Sequence, residues 1–240
     1  MVLNIAHRGF SGSYPENTML AFQKALELGV DAIEIDVQLS CDGELMVFHD
    51  EELEKLTGKQ GWLKDFTAHE LRNIDASGRF KGIYGVNGIP TLKEFFELIR
   101  NTEVITFLEL KNGIISYPGI EEQTAACIRD YQLEEKIILF SANHHSVMRF
   151  GELMPEVRLL FPFDMWYYDY GAYCQRLGVK ACMPFSRALN AEVVREIRDH
   201  GVLIYTWSVD ERHEMVNMLA LGVDGIVTNY PDRLKALLSQ

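Results

Sequence analysis

Two carboxylates stand one residue apart in Ile33-Glu34-Ile35-Asp36-Val37-Gln38-Leu39, where apolar and polar residues alternate strictly in the manner of a β-strand. Ile33, Ile35, Val37 and Leu39 share one face, and Glu34, Asp36 and Gln38 share the other. Like charges held close on one face repel unless a cation or a proton sits between them. Phe107-Leu108-Glu109-Leu110-Lys111 adds a third carboxylate and an ammonium at the end of another apolar run. Glu34, Asp36 and Glu109 together make an all-oxygen donor set, which suits one hard divalent cation, Mg²⁺ or Ca²⁺, better than zinc. The competing account is structural: Lys111 can pair with the same carboxylates and remove the need for a metal.

Two histidines end apolar runs, His7 in Ala6-His7-Arg8-Gly9 and His49 in Val47-Phe48-His49-Asp50. A single histidine after a strand is usually a satisfied structural residue. Two of them beside a carboxylate cluster suit an acid and a base working near neutral pH. Arg8 can offer bidentate hydrogen bonds to a phosphate, and Arg8, Lys111 and a cation would supply the local positive charge that an anionic substrate needs.

The elements that must position these groups follow from the glycines. Leu28-Gly29-Val30, Leu177-Gly178-Val179, His200-Gly201-Val202 and Leu221-Gly222-Val223 each put Gly between an amphipathic run and a β-branched one, a helix stop feeding a strand. Strands are predicted near residues 3–6, 32–39, 104–110, 136–140, 157–161, 180–183, 202–206 and 225–228. Helices are predicted over 17–28, 92–100, 121–131, 191–200, 211–221 and 232–238. About eight βα units in 240 residues predict an α/β fold, a TIM (β/α)8 barrel, as a single domain over 1–240. An open doubly wound sheet fits less well, because the first strand lacks a G-x-G-x-x-G turn. Residues of about 51–88 follow no clean period and read as a small insertion after the second strand, with Trp62 and Phe66 placed to bound the pocket.

Composition narrows the partners. Lys and Arg number 23 against 35 Asp and Glu, a net charge of -12, the wrong sign for gripping a nucleic-acid backbone. No apolar run is long enough to span a bilayer and the N-terminus lacks a signal pattern, so a cytoplasmic protein without stable membrane insertion is expected. Cys41, Cys127, Cys174 and Cys182 form no C-x-x-C pair and read as free thiols, Cys41 as a small filler.

The motifs Ala6-His7-Arg8-Gly9, Pro15-Glu16-Asn17-Thr18, Glu34-Ile35-Asp36-Val37, Asp42-Gly43-Glu44-Leu45 through His49-Asp50, Ile89-Pro90-Thr91-Leu92 and Leu108-Glu109-Leu110-Lys111 resemble, in order and spacing, the glycerophosphodiester phosphodiesterases. Trp207 and Thr228-Asn229-Tyr230-Pro231-Asp232 resemble the later strand ends of that family, and the chain looks most like its cytoplasmic bacterial branch. The resemblance implies metal-dependent hydrolysis of glycerophosphodiesters to glycerol 3-phosphate and an alcohol. It implies Glu34, Asp36 and Glu109 as ligands of one divalent cation, His7 and His49 as the acid/base pair, and Arg8 and Lys111 as phosphate contacts. Trp207 is expected either to stack on the glycerol carbons or to pack in the core. Glu16 and Asn17 read as supporting residues, with Asn17 or Thr18 capping the first outer helix.

Three departures stand out: Ala142 where the family often has Phe, Ser208 where Thr is usual, and Asn229 where Asp is frequent. They are expected to touch the pocket wall and leave the chemistry alone. A related barrel phosphodiesterase acting on lysophospholipids is the alternative, with Trp62, Phe66 and Trp166-Tyr167-Tyr168 as its apolar surface. A noncatalytic phosphodiester-binding barrel is the weaker rival, since both histidines and all three carboxylates are retained.

Overall fold

The alternation in residues 33–39 is realised in a computed structural model that describes residues 2–239. The strands in chain order are β1 (Leu3–His7), β2 (Ala32–Leu39), β3 (Leu45–Val47), β4 (Ile105–Leu110), β5 (Ile137–Phe140), β6 (Arg158–Leu159), β7 (Phe161–Phe163), β8 (Ala181–Pro184), β9 (Leu203–Thr206) and β10 (Gly225–Thr228). They pair in the order β6-β5-β4-β2-β1-β10-β9-β8-β7, all parallel, while β3 pairs antiparallel with β2. The two ends of that order, β6 and β7, are consecutive in the chain with only Leu160 between them. Leu160 N–H still donates to Leu139 O at 3.0 Å, so one chain passage closes the ring. The single strand expected at 157–161 is therefore two short ladders, because the chain changes partner there from β5 to β8. The result is an α/β barrel of the TIM type.

β2 is buried along its whole length. Ile33, Ile35, Val37 and Leu39 pack outward against Phe22 and Ala25 of α1 (Met19–Leu28). The inward face begins with Ala32, which joins Ile5, Phe107, Ile138, Tyr205 and Val227 in an apolar plug filling the barrel axis. Phe107 and Tyr205 meet edge to face across it at 4.9 Å. Glu34, Asp36 and Gln38 stand above this floor, at the C-terminal end where parallel barrels carry their sites.

Caps hold the outer layer in register. Thr18 accepts from Ala21 N–H at the start of α1, and Gly29 at its end takes φ 74°, sending its N–H to Ala25 and Leu26 carbonyls. The short helices α2 (Glu54–Thr57) and α3 (Ala68–Arg72) lie in the segment between β3 and the next long helix, α4 (Leu92–Ile99), which opens with a Thr91/Glu94 capping box. The remaining helices are α5 (Ile120–Tyr131), α6 (His144–Leu153), α7 (Tyr170–Arg176), α8 (Ala191–Asp199), α9 (Arg212–Leu221) and α10 (Pro231–Leu238). Helices α6 and α7 were not named from the sequence. Leu53, Leu63, Leu71 and Ile89 form a separate small core on Met46 and Phe48, with Phe66 packed on its edge. Cys41 is exposed rather than a filler.

Candidate active site

His7 ends β1 and lies in register beside Glu34 of β2, while Asp36 lies beside Glu109 of β4. Parallel pairing thus converts three separate motifs into one constellation. Carboxylate oxygens of Glu34, Asp36 and Glu109 lie within 4.8 Å of one another, and Glu34 and Asp36 are 3% and 1% exposed.

Charge around them is incompletely balanced. Arg8 Nη1 pairs with Glu16 at 2.7 Å and its Nε approaches Asp36 at 3.3 Å. Lys111 Nζ lies 3.2 Å from Glu109 and 3.8 Å from Asp36. Four carboxylates, counting Glu16, face two cations, so pairing with Lys111 does not neutralise the cluster. Asn17, at φ 53°, donates from Nδ2 to Asp36 Oδ2 at 2.8 Å, and Asp36 Oδ1 is left buried with no hydrogen-bond donor among the described residues. Three clustered carboxylates, one with a buried oxygen that no hydrogen bond satisfies, are a donor set that a hard divalent cation fits.

Burial and then the charge of Asp36 push Glu34 well above the usual carboxylate range. Burial likewise raises Glu109, although Lys111 opposes the shift. Burial would also raise Asp36, but Arg8, then His49 and Lys111, hold it well below its ordinary value. Without a cation, then, one member is firmly ionised and two are pressed toward protonation.

The two histidines have different partners. His7 Nδ1 lies 2.8 Å from Asn229 Oδ1, and burial, reinforced by Arg8, lowers its pKa to about 3. Its Nε2 approaches Glu34 Oε2 at 3.9 Å, and with a neutral ring this is not an ion pair. His49 Nδ1 lies 2.6 Å from Asp50 Oδ1. The hydrogen bond from His49 lowers Asp50 to about 2, and Lys55 Nζ, 3.0 Å from its other oxygen, assists. Gln38 Nε2 reaches the carbonyls of Phe48 at 2.8 Å and Asp50 at 3.0 Å, and its Oε1 accepts from Tyr117 OH. The only sign of this tie in the sequence was the place of Gln38 on the face of Glu34 and Asp36.

Arg8 has φ 55°, a left-handed conformation that costs a non-glycine residue on the order of 1 kcal/mol. Its own N–H donates to Glu34 at 3.0 Å, which holds the turn. Thr18 rather than Asn17 caps α1.

His7, Arg8, Glu34, His49, Glu109 and Lys111 line a cleft of about 750 Å³, while Asp36 is buried. Phe163, Asp164, Tyr167, Tyr168, Tyr173, Trp207 and Ala142 line the same cleft. Trp207 Nε1 donates to Met183 O at 3.1 Å, so its indole is fixed. No residue of 51–88 lines the cleft, contrary to expectation: Trp62 is 38% exposed and Phe66 packs on the separate small core, because β3 carries that segment to the flank. Asn229 also differs from expectation, since it contacts His7 directly instead of serving as pocket wall.

A profile of the Glycerophosphoryl diester phosphodiesterase family matches residues 7–233. The chain is 39% identical over 232 residues to a glycerophosphodiester phosphodiesterase of Caldanaerobacter subterraneus subsp. tengcongensis, covering 97% of this chain and 96% of the relative. It is 40% identical over 231 residues to one of Bacillus altitudinis, covering 95% and 94%. Among solved structures, a phosphodiesterase of Oleispira antarctica in complex with the product sn-glycerol-3-phosphate superposes with a TM-score of 0.86 at 26% identity, covering 98% of this chain and 96% of the other.

Proposed function

The chain belongs to the glycerophosphoryl diester phosphodiesterase family, and from that premise we propose that it hydrolyses glycerophosphodiesters to glycerol 3-phosphate and an alcohol by divalent-metal-assisted acid/base catalysis. The observation that carries this reading is the cluster of Glu34, Asp36 and Glu109, whose two glutamates line one cleft with His7 and His49. A cation held by those three carboxylates, Mg²⁺ or Ca²⁺, supplies charge stabilisation at a phosphoryl oxygen.

His7 is the base. Its ring is neutral and backed by an uncharged amide, so Nε2 can take the proton of the attacking hydroxyl. His49 is the acid. The ionised Asp50 behind it stabilises a charged ring, which can protonate the departing alkoxide from Nε2 as the P–O bond breaks. Lys111 and Arg8 hold the phosphate, and the fixed face of Trp207 bounds the glycerol carbons.

A second reading is favoured by one observation. Met165, Trp166, Tyr167 and Tyr168 are exposed in a row and run into the cleft, an apolar rim that suits the acyl chain of a lysophospholipid. A coupled assay for glycerol 3-phosphate over glycerophosphodiesters, beside an assay of lysophospholipid cleavage, tests both. Turnover of the first set, abolished by chelation and by His7→Ala or His49→Ala, is expected; full turnover after exhaustive chelation would overturn the mechanism.

A further inference from the structure

We propose that Asp210 is a positioning residue which, through Asn229, decides which ring nitrogen of His7 is the free proton acceptor in the cleft. The inference rests on the assignment of His7 to the chemistry. Its structural basis is a chain of hydrogen bonds that reaches His7 through Asn229 from Asp210, which neither the motifs nor the cleft lining singles out.

Asn229 Oδ1 lies 2.8 Å from His7 Nδ1, and on its own this contact is ambiguous. An amide can present either oxygen or nitrogen, and an imidazole either a proton or a lone pair. Asp210 removes the ambiguity. Its Oδ2 receives Asn229 Nδ2 at 2.7 Å, and its Oδ1 receives Asn229 N–H at 2.9 Å and the Thr228 hydroxyl at 3.0 Å. A carboxylate only accepts, so the amide nitrogen of Asn229 must face Asp210 and its oxygen must face His7. His7 Nδ1 then carries the proton, and the lone pair sits on Nε2, the nitrogen directed at Glu34.

Ser11 leaves this polarity open. Its hydroxyl lies 2.7 Å from both Asn229 Oδ1 and the His7 carbonyl, and a single hydroxyl proton can be shared between two acceptors. Turning the Asn229 amide over would satisfy Ser11 equally well, but would set a carbonyl oxygen 2.7 Å from the Asp210 carboxylate with no proton between. The carboxylate therefore decides. Asp210 is itself anchored independently of Asn229: Arg233 donates to its carbonyl at 3.0 Å, and the preceding Val209 N–H donates to Val227 O.

The isosteric change Asp210→Asn should reverse the relay. The new amide must keep its oxygen toward Asn229 N–H and Thr228, so its nitrogen faces Asn229. The Asn229 amide then turns over and presents nitrogen to His7 Nδ1, which forces the proton onto Nε2. In the double variant Asp210→Asn/Asn229→Asp every donor again meets an acceptor, with a carboxylate now receiving His7 Nδ1–H.

The experiment is a long-range ¹H–¹⁵N correlation spectrum of the full chain at neutral pH, with His7→Gln identifying the His7 signals, alongside steady-state kinetics. The wild type should show the Nδ1–H form. Asp210→Asn should show the Nε2–H form and lose about 10²-fold in kcat or more with little change in KM. The double variant should return the proton to Nδ1, and its folding does not depend on that of the single variant. An Nδ1–H pattern retained in folded Asp210→Asn, or a folded double variant that stays Nε2–H, would overturn the proposal. A tautomer switch with unchanged kcat would uphold the relay and overturn the assignment of His7 as base, so the two failures are distinguishable.

Discussion

Asp50 Oδ1 lies 2.6 Å from His49 Nδ1, whereas the corresponding nitrogen of His7 meets the neutral amide of Asn229. One imidazole is therefore paired with a negative charge and the other is not, and the proposed division into acid and base rests on that asymmetry.

If His49 protonates the leaving alcohol, its loss should matter least where the leaving group needs no proton. His49→Ala is expected to cost about 10²- to 10⁴-fold in kcat on an alkyl diester and far less on an aryl diester with an acidic phenol. His7→Ala should impair both alike. Parallel kinetics on the two diesters make the comparison, and equal losses for His49→Ala would reassign the acid.

Metal and proton should compete for the carboxylate cluster. Glu34 and Glu109 have folded pKa values above their unfolded ones, so the metal-free fold is favoured at low pH and loses that contribution as pH rises through the raised values. A divalent cation takes the place of those protons. Ca²⁺ or Mg²⁺ should therefore raise Tm at about pH 7–8 and progressively less toward about pH 5. Asp36→Asn should flatten the response, and a Tm indifferent to both ions at every pH would remove the metal site.

Gln38 ties the loop of His49 to the strand of Glu34 and Asp36. Gln38→Leu keeps the volume but removes the Gln38 amide from the Phe48, His49 and Asp50 carbonyls and from the Tyr117 hydroxyl, which should cost about 1–3 kcal/mol by denaturant unfolding. Turnover should fall in the folded variant while KM holds, because the displaced group is His49. Wild-type kcat in that variant would make the tie purely structural.

The loop between β7 and α7 supplies Asp164, Tyr167 and Tyr168 to the cleft, and the departing alcohol is proposed to lie against it. Tyr167→Ala and Tyr168→Ala should change relative KM values across a panel of alcohols, whereas Trp62→Ala should leave them alone. The opposite pattern would return the pocket wall to residues 51–88.

Much of this was legible in the sequence because it is local. The two-residue period of Ile33–Leu39 places Glu34 and Asp36 on one face whatever surrounds them, and Gly29 and Gly222 stop helices because the left-handed conformation is cheap for glycine. The family resemblance and the candidate ligands follow from such short motifs. What the sequence could not determine depends on closure of the ring. Only the pairing of β1 with β10 carries Asn229 to His7, 222 positions away in the chain, and with it Asp210. Closure likewise gives the cleft its aromatic wall from β7 and α7, while the antiparallel pairing of β3 turns Trp62 and Phe66 to the flank. Local periodicity fixes the face a side chain takes, but which side chains share that space is set by long-range strand register, and no short-range preference encodes it.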